Sequence, residues 1–317
     1  MAGAHLELSV VVPAFNEAEG IDTAVGEIIK SIRDADIEDF EVIVVDDGST
    51  DGTYSQLLVS REKYSQLKSI RLSRNFGKEG ALLAGLAAAC GSAIITIDAD
   101  LQHPPALIPE MVDHWRSGAK IVHAVKRDRS VDNWRSRMRA LLFNKIFTKL
   151  CGLDINNSSD FKLLDQRVVN ILVNDLSERE RFYRGLSGWV GFNQVQVKFD
   201  VSARCQGSSH WSIAGLINLA LTATLSFTNA PLRIVSGLGV LTLLFAMGLT
   251  INTLISWYNN TAVSGFSTII ITLLIIGSFI MISLGIVGEY IARIYLETKG
   301  RPAYIVADSN GFIDGSE

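Results

Sequence analysis

Between Arg233 and Glu289 the chain carries no charged residue, and this stretch falls into two apolar runs, roughly Leu232 to Tyr258 and Phe266 to Ile291. Each exceeds the ~20 residues a helix needs to cross a hydrocarbon core. A helix pair buried in a soluble core is the alternative, but such helices usually keep a polar stripe, and nothing polar marks an outer face here. Two spans are therefore expected, and the rest of the 317 residues must be arranged around them. Arg233 precedes the first run, Arg293, Lys299 and Arg301 follow the second, and the loop from Asn259 to Gly265 is uncharged. Basic flanks stay on the cytoplasmic side, so two spans place both flanks there. A third uncharged run, Trp211 to Leu232, would strand Arg233 and the tail outside if it also spanned. Ser212 to Phe227 is instead expected to lie in the membrane interface.

The N-terminal part reads as alternating strand and helix. Leu8 to Val12 (LSVVV) is a run dominated by apolar residues, as expected of a strand covered on both faces, and Phe40 to Val45 (FEVIVV) repeats the buried-strand signature. A helical pattern with Ile21, Val25, Ile28, Ile29 and Ile32 separates them. The alternation continues with a helix near Tyr54 to Tyr64, a strand near Ser69 to Leu72, a helix from Lys78 to Cys90, a strand at Ile94, a helix from Ala106 to Ser117 and a strand from Lys120 to Val125. This predicts an α/β fold with an open, mostly parallel sheet, whose ligands lie beyond the carboxyl ends of the strands. Asn16 and Glu17, Asp46 and Asp47, Arg74 to Lys78, and Asp98 to Gln102 all fall at such ends, which points to one shared site.

Ile94 to Pro105, IITIDADLQHPP, is the densest of these ends. In an extended backbone Asp98 and Asp100 project from one face, with Gln102 next in register. Hard oxygen ligands at a strand end suit Mg2+ or Mn2+. The competing reading makes both aspartates ordinary loop carboxylates capping the next helix. Similarly, Asp46 and Asp47 fit turn chemistry before Gly48, and Glu17 fits a carboxylate at a helix N-terminus.

The overall charge is −4, yet Arg127 to Lys149 carries seven basic residues against Asp128 and Asp132, interleaved with Trp134, Leu141, Leu142, Phe143 and Phe147. That pattern predicts an amphipathic helix over residues 134–150 on an anionic membrane surface. Arg137 is the best single candidate there for an acceptor phosphate, whereas simple solvation is the competing reading for Arg127. Nucleic acid is disfavoured because the remainder of the soluble part is acidic and lacks regularly spaced stacking aromatics. Cys90, Cys151 and Cys205 are scattered and odd in number, which fits a reducing compartment and neither a zinc site nor a disulfide frame. MAGAHLELSV lacks the pattern of a secretory signal. The expected organisation is a cytoplasmic domain over 1–205, an interfacial helix over 206–230, two spans over 231–292 and a cytoplasmic tail over 293–317.

With these residues in view, the chain resembles glycosyltransferase family 2, and within it the polyprenyl-phosphate glycosyltransferases, the group of the bactoprenol glucosyltransferases and dolichol-phosphate mannose synthase. The resemblance rests on VVPAFNE (Val11 to Glu17), VVDDGSTDGT (Val44 to Thr53), SRNFGKEGAL (Ser73 to Leu82), DADLQHPP (Asp98 to Pro105), SSDFKLLD (Ser158 to Asp165), RFYRGLSGWVGF (Arg181 to Phe192) and GEYIARIYLETKGRPAYIV (Gly288 to Val306). Together these cover nearly the whole chain.

The resemblance implies a GT-A nucleotide-sugar domain in which Pro13, Phe15, Glu17, Val45 and Asp47 line the base and ribose pocket. It implies that Asp98, Ala99 and Asp100 serve the nucleotide and its metal, with Asp100 and Gln102 as the direct ligands of Mg2+ or Mn2+. Arg127 is implied to face the nucleotide phosphates, and Arg204 the acceptor or the leaving diphosphate. His210 stands where relatives commonly carry Lys, and a largely neutral imidazole brings less charge to a diphosphate. Asp160 is implied as the catalytic base, although a phosphate monoester is already mostly ionised at pH 7 and hardly requires one. Asp160 then orients the acceptor or stabilises positive charge at the anomeric carbon. The chain lacks the Q-x-x-R-W motif of processive synthases, which argues for transfer of a single sugar. The expected function is inverting transfer of one hexose, glucose from UDP-glucose, onto polyprenyl phosphate by a homo-oligomeric membrane enzyme. Mannose or amino-arabinose as the sugar, or a silent nucleotide-sugar-binding scaffold, are the alternatives.

Overall fold

In the computed structural model the residues described are 6–126, 158–176, 178, 181–199, 230–259 and 265–312. The chain divides into two compact units, residues 1–220 with 302–317, and residues 221–301. The first unit is built on β1 (Leu8–Ala14), α1 (Ile21–Arg33), β2 (Phe40–Asp46), α2 (Thr53–Lys63), β3 (Leu67–Leu72), α3 (Lys78–Ala88), β4 (Ala93–Thr96), α4 (Ile108–Arg116) and β5 (Ile121–Lys126). It continues with β6 (Ser158–Asp165), the short α5 (Gln166–Asn170), α6 (Tyr183–Trp189) and β7 (Gln194–Phe199).

The second unit consists of α7 (Ala230–Tyr258) and α8 (Phe266–Thr298). After it the chain returns to the first unit as β8 (Val306–Asn310). The sheet has eight strands in the order β7-β5-β6-β4-β1-β2-β3-β8. β1, β2, β3 and β4 pair in parallel, as do β5 and β7. β6 runs antiparallel between β4 and β5, and β8 antiparallel along β3. The expected mostly parallel α/β sheet is thus present, with reversed strands at two places.

The apolar runs of the central strands exist because helices cover both faces. Val10, Val12, Val42 and Val44 pack with Ile21, Ile28, Leu57, Ile108 and Met111 from α1, α2 and α4. On the opposite face Ile43, Val45 and Ile70 pack with Ala81 and Ala84 of α3, with Tyr304 and Phe312 against them. Small residues let α3 approach closely: a Cβ added at Gly85 would lie 2.3 Å from Cγ1 of Val11. The order β3-β2-β1-β4 places a topological switch point between β1 and β4, where open α/β sheets bind their ligands.

α7 and α8 span 29 and 33 residues, and both are long and apolar enough to cross a membrane. Their large side chains are not packed away inside the chain: Leu243 is 67% exposed and Met281 69%. A soluble helix pair would have buried such residues, so the burial that distinguishes that alternative is missing.

Candidate active site

Two loops at the carboxyl ends of β1 and β2 are stitched together by side chains. The Asn16 amide N–H donates to Ser49 Oγ at 2.9 Å, and the Glu17 N–H to Thr53 Oγ1 at 2.9 Å. Asn16 Oδ1 in turn accepts from the Thr50 N–H at 3.0 Å, with Asn16 itself at φ +55°. Asp46 Oδ1 accepts from the Ser49 N–H at 3.0 Å, so Asp46 does serve the turn. Gly48 sits at φ +68°, and a Cβ there would fall 2.4 Å from the Arg74 carbonyl carbon. Only glycine lets the β2 turn and the β3–α3 loop meet this closely. Asp47 bridges the same two segments, its oxygens accepting from the N–H groups of Phe76 (2.7 Å) and Gly77 (2.9 Å).

These loops and the end of β4 enclose a cleft of about 340 Å3 at the switch point. Pro13, Phe15, Glu17, Asp47, Asp98, Ala99 and Asp100, all anticipated as site residues, line it together with Lys78. Phe15 is 43% exposed, an aromatic face open to a stacking partner. Val45 is different: its side chain is fully buried beneath the cleft, packed with Ile43, Ile70 and Ala81, and does not line it. Arg127, Arg137, Arg204 and His210 lie outside the described residues, as do the helices expected over 134–150 and 206–230.

The aspartates after β4 come together by a turn and not by strand alternation. β4 ends at Thr96, and Leu101 takes φ +53°, so the extended register expected for Asp98, Asp100 and Gln102 is broken. The turn nevertheless gathers one ligand atom each from Asp98, Asp100 and His103 within 4.8 Å of one another. Gln102 points its amide nitrogen at Asp100 Oδ2, 2.6 Å away, and its backbone N–H at Asp100 Oδ1, 3.1 Å away. His103 was passed over in the sequence because it follows the spaced carboxylates out of register. Its ring is buried beside Phe161 and Phe199, with centroids 5.8 and 5.5 Å away. Two carboxylates and an imidazole are a donor set suited to a divalent cation such as Mn2+. Burial raises the Glu17 carboxyl above its usual range, and the charges of Asp100, Asp51 and Asp98 add to that. The cleft is therefore crowded with negative charge.

Asp160 enters from β6, which pairs with β4 so that Lys162 lies opposite Thr96. The Thr96 hydroxyl donates to the Asp160 backbone carbonyl at 2.5 Å. Arg184 grips the Asp160 carboxylate through Nε at 2.7 Å and Nη2 at 2.8 Å. The Lys78 ammonium lies 2.6 Å from Asp160 Oδ2 and also 2.6 Å from Asp98 Oδ1, joining the two carboxylates. Burial would raise the Asp160 carboxyl, but the Arg184 hydrogen bonds and the Lys78 charge outweigh it and hold it well below the usual carboxylate range. Sequence reasoning placed Lys78 at a strand end of the shared site but not beside Asp160, and gave Arg184 no role, because each is separated from Asp160 in sequence. The signal available was their presence inside the SRNFGKEGAL and RFYRGLSGWVGF segments.

Further groups lie beneath. Lys162, on the same face of β6 as Asp160, is fully buried, and its ammonium donates to Ser187 Oγ and, at 3.5 Å, to the Arg184 carbonyl. Burial lowers its pKa to about 7. Glu79 accepts from the Tyr183 N–H at 3.1 Å, and burial followed by the Asp160 charge pushes its carboxyl up to about 7.

An open, mostly parallel α/β sheet with an acidic cleft at its switch point, and a lining lysine that ties the cleft to the buried Asp160, is a fold and site of the GT-A class. Residues 9–184 match glycosyl transferase family 2, and the chain belongs to that family. Residues 230–294 match the GtrB C-terminal hairpin, which coincides with α7 and most of α8. Among similar proteins, the glycosyltransferase sll0501 of Synechocystis sp. is 40% identical over 308 residues, 96% of this chain and 95% of its own. A prophage bactoprenol glucosyl transferase homolog of Escherichia coli (strain K12) is 37% identical over 95% of this chain and 98% of its own. The bactoprenol glucosyl transferase of Shigella phage SfII is 35% identical over 96% and 99%. The protein is a glycosyltransferase, and the scaffold alternative falls away.

Proposed function

We propose that this enzyme transfers one glucose from UDP-glucose to a polyprenyl phosphate at the cytoplasmic face of a membrane, with inversion and with Mg2+ or Mn2+. The observation that carries this reading is the acidic cleft itself. Among the described residues, Glu17, Asp47, Asp98 and Asp100 line a space to which Lys78 brings the one cation, so a nucleoside diphosphate entering alone would be repelled. Asp98 and Asp100, with His103 or Gln102 completing the set, would hold a divalent ion; bound there, it offsets the diphosphate charge and stabilises the leaving group. Phe15 offers its face to the base, and Asp47 keeps lone pairs for a ribose diol or uracil edge after accepting its two backbone N–H bonds.

The acceptor's phosphate oxygen attacks the anomeric carbon as the bond to UDP breaks on the opposite side, which inverts that centre. With a second pKa of about 6 the monoester is mostly a dianion at pH 7, so no side chain must take its proton. The polyprenyl acceptor is supported by the names of the relatives at 35% and 37% identity and by the hairpin match. The basic flanks Arg233, Arg293, Lys299 and Arg301 support two spans with the catalytic unit and both termini in the cytoplasm. A homo-oligomer is part of the same reading and rests on the family resemblance alone.

The test is a transfer assay on the detergent-purified protein with short-chain polyprenyl phosphate, comparing radiolabelled UDP-glucose, GDP-mannose and UDP-amino-arabinose. Glucosyl lipid that forms with Mg2+ or Mn2+ and not in EDTA is the expected result. Transfer from another donor would replace the sugar, and equal rates in EDTA would remove the metal.

A further inference from the structure

The cations around Asp160 are arranged for a ligand, and not only for the carboxylate between them. Asp160 is 7% exposed, and its oxygens already accept three charge-assisted hydrogen bonds, two from Arg184 and one from Lys78. A general base needs an open lone pair and a reason to take a proton; Asp160 has little of either. Lys78 and Arg184 present the opposite picture. Their side chains are 41% and 42% exposed, while the carboxylate they share is 9% exposed. An ammonium has three N–H donors and a guanidinium five. Among the described residues Lys78 spends donors on Asp98 and Asp160, and Arg184 spends two on Asp160. Among the described residues no partner takes the remaining donors of either cation, and both side chains reach solvent beside a buried anion.

We propose that Lys78 and Arg184 form a phosphate-binding pair of the active site, and that Asp160 is the positioning residue that holds the two cations side by side. The pair takes a phosphate oxyanion, for which a guanidinium fork and a neighbouring ammonium are the complementary donors. This rests on the proposed reaction, in which both substrates carry phosphate: the diphosphate of the donor and the monoester of the acceptor. With Asp98 engaged by a divalent ion, Lys78, Arg184 and Asp160 sum to one positive charge, which an incoming phosphate offsets. The pair is also braced from below. Lys162 bonds to Ser187 and to the Arg184 carbonyl, and Glu79 accepts the N–H of Tyr183, so the backbone on both sides of Arg184 is held before any ligand arrives.

The test uses the full-length protein in detergent and reads binding separately from turnover. UDP affinity with Mn2+ is measured by calorimetry, affinity for farnesyl phosphate by competition, and KM is measured for each substrate. Removing Arg184 alone leaves Asp160 buried and under-paired, so Arg184→Gln is accompanied by the double variant Arg184→Gln with Asp160→Asn, and circular dichroism confirms the fold. Lys78→Gln is measured in parallel, and Arg184→Lys serves as the conservative rescue. Each charge-removing variant is expected to weaken at least one phosphate ligand about tenfold or more, with partial recovery in Arg184→Lys. Loss confined to UDP assigns the pair to the donor diphosphate; loss confined to farnesyl phosphate and its KM assigns it to the acceptor. Wild-type affinities for both ligands, with only kcat reduced, would overturn the pair while leaving the proposed reaction intact. A wild-type protein that binds both ligands through the pair yet transfers no glucose would do the reverse.

Discussion

Glu79 shows how a single position couples the site to pH. Its carboxyl is raised from 4.5 to about 7, burial being the largest cause. The folded protein therefore holds this proton through a window in which the unfolded chain has lost it, and stability contributed at this position falls as pH rises from about 4.5 to 7. Glu79→Gln removes the ionisation and keeps an acceptor for the Tyr183 N–H. The variant should be more stable than the wild type at pH 8 by on the order of 1–2 kcal/mol after allowance for partial exposure, seen as a higher thermal unfolding midpoint, and little changed at pH 4. A midpoint difference that is the same at both values would mean that Glu79 is not the titrating group. At this scale the sequence was readable where a motif compresses the chemistry into a few positions, as in Asp98, Asp100 and Asp47. It was silent where partners are far apart: Lys78 and Asp160 are 82 positions apart, and nothing in either segment names the other.

Among the elements, the strands covered on both faces were the most legible, because double burial leaves a nearly continuous apolar run in β1, β2 and β4, interrupted by Ser9 and Glu41, whose side chains bond to each other. β6 was harder, since Asp160 and Lys162 break its apolar pattern for the sake of the site. β8, VADSN, offers no apolar run at all and is a strand only because β3 has an open edge. The turn after β4 was misread in its geometry, although its residues were identified, because the left-handed conformation of Leu101 has no glycine to announce it. α3 carries the element's own prediction. Its Gly85 faces Val11 and Val45 across the sheet, with added-Cβ distances of 2.3 and 3.1 Å, and both neighbours are fully buried. Gly85→Ala should therefore push α3 off β1 and lower stability by about 1–3 kcal/mol, despite the better helix propensity of alanine. Chemical denaturation of the variant in detergent measures this, and a gain in stability would show that α3 has room to move. Lys78 opens the same helix, so a shift of α3 is also expected to reduce turnover.

At the scale of the whole molecule, the two apolar helices and the alternating α/β segment were evident from charge and periodicity, while the return of the chain into the sheet was not. β8 pairs with β3, Arg61 of α2 reaches Asn310, and Tyr304 and Phe312 pack against the α3 side of the sheet. Truncation after Gly300 should leave retention in carbonate-washed membranes unchanged, because α7 and α8 remain. It should nonetheless destabilise the catalytic unit by about 2–4 kcal/mol through the loss of the two aromatic contacts and the strand. A wild-type unfolding midpoint in the truncated protein would show that β8 is dispensable. The pairing also dictates an order of events during synthesis. Arg61 and Asn310 are separated by 249 positions, with the whole apolar hairpin between them. At ribosomal speeds of about 5–20 residues per second, the edge of β3 stays uncovered for on the order of tens of seconds after it emerges, a period in which an open strand is prone to pair with another chain. The edge of β3 is covered only by residues translated after the hairpin, so on the proposed topology α7 and α8 reach the bilayer before the catalytic unit is complete, and a nascent chain delayed at the membrane would present its unfinished edge to its neighbours.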